Sequence, residues 1–169
     1  MMTVQLDGSQ AMTTAANNLL DIQSFSWAHY SESADYPYPI SYWGTILDID
    51  ASGHLSLLYR WDPNSFCHFH RHLCSVTSLV LEGELHVQTF ENGERVLDSV
   101  RRPGDYAKKP PGDVHMEQGG PEGALVLFEL FAPDGQLTQQ LDAEGNVLRT
   151  LTTQDLQRAL AKQHERAPA

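Results

Sequence analysis

Three of the chain's eight histidines fall at alternate positions in one short stretch, Phe66-Cys67-His68-Phe69-His70-Arg71-His72. On a β-strand, residues i and i+2 project from one face roughly 7 Å apart, so two imidazoles spaced in this way can converge on one ion at about 2 Å. A His-x-His strand is therefore a two-point clamp for a metal. A second stretch runs from Gly104 through Pro110, Pro111, Gly112, Asp113 and Val114 to His115. Its Pro-Gly turn reverses the chain and launches a strand carrying His115, which could supply a third imidazole from across a barrel. A lone histidine in a β-protein is more often a hydrogen-bonded surface or core residue than a ligand. Two on one strand with a third behind a turn reverse that preference.

Such a clamp needs strands to hold it, and the flanking sequence carries strand signals. Between Gly44 and Phe131 the turn-forming runs DASGH, DPNS, ENGE, RPGD, PPGD, QGGPEG and PDGQ follow one another closely. They leave room for short strands but not for helices. Between them lie β-rich runs at Leu55 to Trp61, Val76 to Leu81, Leu85 to Phe90 and Ala124 to Phe131, the last apolar enough to be buried on both faces. Upstream, aromatic residues crowd from Phe25 to Trp43, and Pro37 and Pro39 exclude a helix there, so an extended segment packed across a sheet is expected. Residues 1–24 read as an arm or covering helix, weakly helical from Met12 to Ile22. Asp142 to Asn146 reads as a turn. In the tail, 151–169, Thr152 or Thr153 can cap a helix with Leu156, Leu160 and Ala161 on one apolar face. The expected fold is mainly β, an antiparallel sandwich or barrel over 25–150 with a terminal helix.

Composition narrows the partners. The 169 residues suit one domain with one core, and 41% hydrophobic with 20% charged residues is ordinary for a globular chain. A net charge of −11 with only 11 Lys and Arg would repel nucleic acid and anionic membranes. No apolar run approaches the roughly 20 residues a bilayer span needs, and no basic flank precedes an apolar stretch at the N-terminus, so a cytoplasmic location is expected. Cys67 and Cys74, seven apart, would point to opposite faces of a continuous strand and are expected to be reduced, as small buried hydrophobes.

Two spaced motifs resemble those of the cupin superfamily. The first family motif is Gly, five residues, His-x-His, three or four residues, Glu, six residues, Gly; this chain has Asn64, His70-Arg71-His72, Val76 and Gly83. The second is Gly, five residues, Pro-x-Gly, two residues, His, three residues, Asn; here it is Gly104, Pro110, Gly112, His115 and Gly119. The resemblance implies a cupin-type antiparallel β-barrel, a double-stranded β-helix or jelly roll. It also selects His70, His72 and His115 as metal ligands, because Asn64 and Gly83 fall at family spacing only in that register. His68 then lies one step early, as a further ligand, a neighbour of the site or a rim residue. Val76 stands where the family's glutamate ligand would be, leaving three neutral imidazoles.

Imidazole suits Fe(II), Zn(II), Ni(II) and Cu(II) better than Mg(II) or Ca(II). The set is similar to that of three-histidine cupin dioxygenases acting on acetylacetone or dihydroxyacetophenone. The resemblance implies one divalent ion, Fe(II) first, and an oxygenase cleaving a carbon–carbon bond in a small dicarbonyl or aromatic hydroxyketone, whose enolate would supply the missing negative charge. A metal- or ligand-binding sensor barrel and a metal-dependent isomerase or lyase are the alternatives, since fold alone does not choose. A homodimer is expected, as cupins commonly pair through their sheets. Further polar candidates for the cavity are His86, Gln88, Glu91, Tyr106 and Glu117, the last sharing the face of His115 if its strand continues. Arg71, opposite in parity, should point outward, and Trp27, Trp43 and Trp61 should be packing residues.

Overall fold

In the computed structural model, which describes residues 18–31 and 38–166, ten strands are followed by one C-terminal helix. The weakly helical stretch expected from Met12 lies mostly outside the described residues; its last residue, Ile22, opens a single 3-10 turn, Ile22–Ser24. The described parts of the aromatic-rich segment lie in strands: β1 (Ala28–Ser31) pairs antiparallel with β2 (Ser41–Ile49). The DASGH turn then joins β2 to β3 (His54–Trp61) as a hairpin. The chain passes through β4 (His70–His72), β5 (Ser75–Glu91), β6 (Glu94–Arg101), β7 (Tyr106–Lys109), β8 (Val114–Phe131), β9 (Gln136–Leu141) and β10 (Val147–Thr152). All the pairings among these strands are antiparallel, and the sheet curls on itself.

Two long, bent strands organise the barrel. Strand β8 pairs with β3 through its second half, with β5 along most of its length and with β4 at its start. The sequence suggests a turn at QGGPEG and separate strands on either side of Gly83. The chain instead runs through both places as continuous strand with register shifts between Val80 and Glu82 and between Gly83 and Leu85. Gly83 makes the bend possible: its φ is +70°, and a Cβ there would overlap the Gly123 carbonyl. A bend of this kind lets one strand serve both walls of a curled sheet.

The barrel interior is filled from alternating strand positions, including Leu55, Leu57 and Trp61 of β3, Val80, Leu85 and Val87 of β5, and Val126 and Phe128 of β8. The tail helix α1 (Thr153–Arg166) begins as the sequence suggests. Asp155 N–H donates to the Thr152 hydroxyl at 3.3 Å while the Asp155 carboxylate accepts from Thr152 N–H at 2.9 Å, a reciprocal cap. Leu156, 4% exposed, anchors the helix to the core. No helix among the described residues is long and apolar enough to cross a membrane. Cys67 and Cys74 are both buried and free.

Candidate metal centre

The histidines converge because of strand register. In the β4–β8 pairing His70 lies directly opposite His115, and His72 and Glu117 are each two residues further along their strands. Period-two alternation turns all four side chains to the barrel interior. The result is His-x-His on one strand beside His-x-Glu on its neighbour. His72, His115 and Glu117 are buried and His70 nearly so, and their donor atoms all lie within 4.8 Å of one another. No other such group of donors occurs among the described residues.

The distances fit one ion. Two donors bound at about 2.1 Å and about 90–110° apart stand roughly 3.0–3.4 Å from each other. His70 Nε2 is 3.2 Å from His72 Nε2, which is 3.4 Å from His115 Nε2. The Glu117 carboxylate completes the group, Oε1 lying 2.9 Å from His115 Nε2 and Oε2 3.8 Å from His70 Nε2. Two of the rings are oriented from behind. His70 Nδ1–H donates to the His68 carbonyl at 2.7 Å, and His115 Nδ1–H donates to the Asp113 carboxylate at 2.5 Å. Each bond aims Nε2 inward, the usual arrangement behind a metal-binding imidazole. His72 Nδ1 is buried without a hydrogen-bond partner.

Charge is arranged to suit a cation. Burial, reinforced by the neighbouring imidazoles, holds His72 well below the ordinary histidine value. Burial also lowers His70, with His115 adding to the effect against the opposing pull of Glu117. Both rings therefore offer a free lone pair at neutral pH. His115 is raised, because the Glu117 and Asp113 carboxylates outweigh its burial. Burial opposes ionisation of Glu117, yet His115, His70 and the Cys67 thiol hold it well below the usual carboxylate range. An ion that takes His115 Nε2 competes with a proton that Glu117 favours there.

Cys67 has a role that its sequence position did not reveal. Its thiol, pushed well up by burial and by Glu117, stays protonated and donates to Glu117 Oε2 at 2.9 Å, while Glu117 N–H donates to Sγ at 3.1 Å. The carboxylate is thus fixed with Oε1 toward the histidines. The only early signal was the alternation that puts Glu117 on the face of His115.

Val76 sits in the cavity wall where the cupin glutamate was expected, so that position is apolar as its sequence implies. Among the additional candidates, Glu117 is the one that stands with the three histidines, bringing a carboxylate from the other strand. His68 lies beside the donor group rather than in it, its Nδ1 2.9 Å from the Tyr42 hydroxyl. Tyr106 is 68% exposed on a short outer strand, away from the site. Gln88 Nε2 donates to Gln118 Oε1 at 2.6 Å on the face opposite Glu117, which strand alternation turns away from the centre. His86 pairs with Glu84, and Glu91 is exposed at a hairpin end. Arg71 points outward to Gln139, and Trp27 and Trp43 pack about Arg60. Trp61 alone of the three tryptophans lines the cavity.

That cavity, of about 100 Å³, is bounded on one side by His70, His72 and Glu117 of the donor group and is otherwise mainly apolar, with Leu57, Phe128, Leu130 and Leu137 facing a few polar groups from Tyr42, His68, Thr138 and Gln140. It is smaller than the roughly 300–1,000 Å³ pockets that take drug-sized ligands, so its occupant must be small.

Comparison with known proteins places this architecture. A family model described as cupin matches residues 51–167. Among solved structures, an acetylacetone dioxygenase from Acinetobacter johnsonii superposes with a TM-score of 0.64 at 13% identity, covering 96% of this chain and 99% of that one. An RmlC-like cupin protein from Ralstonia eutropha JMP134 gives 0.64 at 15% identity, covering 89% and 88%. A cupin 2 conserved barrel domain protein from Rhodopseudomonas palustris gives 0.53 at 16%, covering 83% and 86%. A search of curated protein sequences finds no match. At these identities the likeness speaks for the fold.

Proposed function

Because the chain belongs to the cupin family, we propose that it is an Fe(II)-dependent dioxygenase that cleaves a carbon–carbon bond in a small dicarbonyl or aromatic hydroxyketone. The observation that carries this reading is the buried His70, His72, His115 and Glu117 group, of which His70, His72 and Glu117 line a small, mostly apolar cavity. The donors fit the ion: imidazoles with a carboxylate are a set that suits Fe(II). The name of the Acinetobacter johnsonii protein, whose fold is similar, supports the same reaction class.

Bound iron supplies Lewis acidity and one-electron chemistry toward dioxygen. The chain's own residues do the rest. His70, His72 and His115 would hold the ion through Nε2, with His115 steadied by Asp113. Glu117 would contribute one negative charge, and the Cys67 thiol holds its Oε2 in place. A mono-anionic chelate such as an enolate would bring the charge of a divalent ion and Glu117 to neutrality in a buried site, where uncompensated charge is costly. Leu57, Phe128 and Leu130 exclude water around the ligand's apolar arms, and Tyr42, His68 and Gln140 offer hydrogen bonds to its oxygens.

The test is anaerobic reconstitution with Fe(II), followed by oxygen-uptake measurements against diketones and hydroxyketones. Uptake that needs both iron and the organic substrate is expected. Binding without oxygen consumption would point instead to a sensor barrel, and turnover without oxygen to an isomerase or lyase.

A further inference from the structure

A second cavity of about 120 Å³ lies behind the first, between the β1–β2 edge and α1, with Tyr30, Ile46 and Ala159 in its wall. Leu57, Tyr59 and Leu156 line both cavities, so these three side chains form the partition between them. Tyr59 is held there by its surroundings. Its ring lies directly on Gly44, where an added Cβ would overlap the ring edge and stand 2.9 Å from Cδ1. Phe128, Tyr42 and Trp61 flank it with ring centroids at 5.7, 5.9 and 6.1 Å. A large, rigid ring seated on a glycine is a fixed stop rather than a flexible filler.

We propose that Tyr59 sets the length of the ligand that the metal centre accepts, with the second cavity as a side-arm space that Tyr59 closes off. The inference rests on the reading that an oxygen-chelating small molecule binds at the metal. With Tyr59 in place, one apolar arm of the chelate ends at the phenol ring. Without it, the arm gains about 120 Å³ of space. Gly44 is the counterpart: a methyl group there pushes the Tyr59 ring toward the metal cavity and shortens the permitted arm.

The experiment uses the full chain loaded with Co(II), whose ligand-field absorption reports binding at the metal without any turnover. Acetylacetone and homologues lengthened on one arm by two and by four carbons are titrated into the unaltered protein, Tyr59→Ala, Tyr59→Leu and Gly44→Ala. An unchanged Co(II) spectrum before ligand addition certifies that each variant keeps its centre, and Tyr59→Leu serves if Tyr59→Ala does not fold. The unaltered protein is expected to bind the longest homologue at least about tenfold more weakly than acetylacetone. Each methylene newly accommodated should strengthen binding by about fourfold, so shortening residue 59 should abolish or reverse that preference, and Gly44→Ala should steepen it. Chelation with the same length profile in the unaltered protein and both Tyr59 variants would overturn the role of Tyr59 while leaving the chelating-substrate reading intact. No spectral change with any homologue in any protein would overturn both.

Discussion

Replacing Glu117 by glutamine separates the electrostatic part of the metal centre from its shape. The carboxylate oxygens stand 2.9 Å from His115 Nε2 and 3.8 Å from His70 Nε2, so a charge held by those nitrogens is within about 4 Å of Glu117. Two unit charges at that separation attract by about 4 kcal/mol at an effective dielectric constant near 20, and a divalent ion about doubles this. Part is offset, because the same carboxylate favours the proton on His115 that the ion must displace; that attraction is again about 4 kcal/mol. The remainder, about 4 kcal/mol, corresponds to roughly a thousandfold loss of affinity. The metal-free fold should be nearly unaffected, because the glutamine carbonyl can still accept from the Cys67 thiol and its amide can donate to a neutral His115. Competition of Zn(II) against a chromophoric chelator measures the first effect, and thermal unfolding of the metal-free protein the second. Affinity within threefold of the unaltered protein would refute the assignment of Glu117 to the centre.

Other perturbations test neighbouring parts of the argument. His115→Ala should lose most bound metal by elemental analysis while its circular dichroism stays native; full metal retention would remove His115 from the ligand set. Asp113→Asn should weaken metal binding by about 10–100-fold, the usual effect of removing an imidazole's outer partner, as read by the same chelator competition. Gly83→Ala should cost at least about 2 kcal/mol in urea unfolding, since it combines a positive-φ backbone with a clash against Gly123. Asp155 is held down to about 2 by hydrogen bonds from the Thr152 hydroxyl and amide and from Arg158. Because that lies below its ordinary 3.8, the cap's contribution is complete above about pH 4 and fades as pH falls toward 2. Asp155→Asn should flatten the acid limb of the helical signal over that window.

Much of the site was legible because strand alternation is a strong rule. His70 and His72 share a face by spacing alone, and the Pro-Gly turn ahead of His115 brings its strand back beside them. Glu117 was legible as a face-sharing neighbour, but its value as a charge depends on the β4–β8 register, which no local pattern encodes. Cys67 was hidden for the same reason: its partner is fifty residues away. Gln88 and Tyr106 went astray because period two says which residues share a face but not which face turns inward. The turn expected at QGGPEG failed because glycines that read as loop punctuation also bend long strands, and β5 and β8 use them so. The tail helix was legible from its cap, whereas Leu156 as part of the cavity wall was not.

The donors on β4 and β8 are arranged to hold one ion between them. Anomalous diffraction from crystals grown with Zn(II) or Fe(II), collected on either side of the metal's absorption edge, tests this directly. A single peak is expected within about 2.0–2.3 Å of Nε2 of His70, His72 and His115, with Glu117 beside it. Absence of a peak there at full metal loading, or a peak elsewhere with these rings turned away, would contradict it.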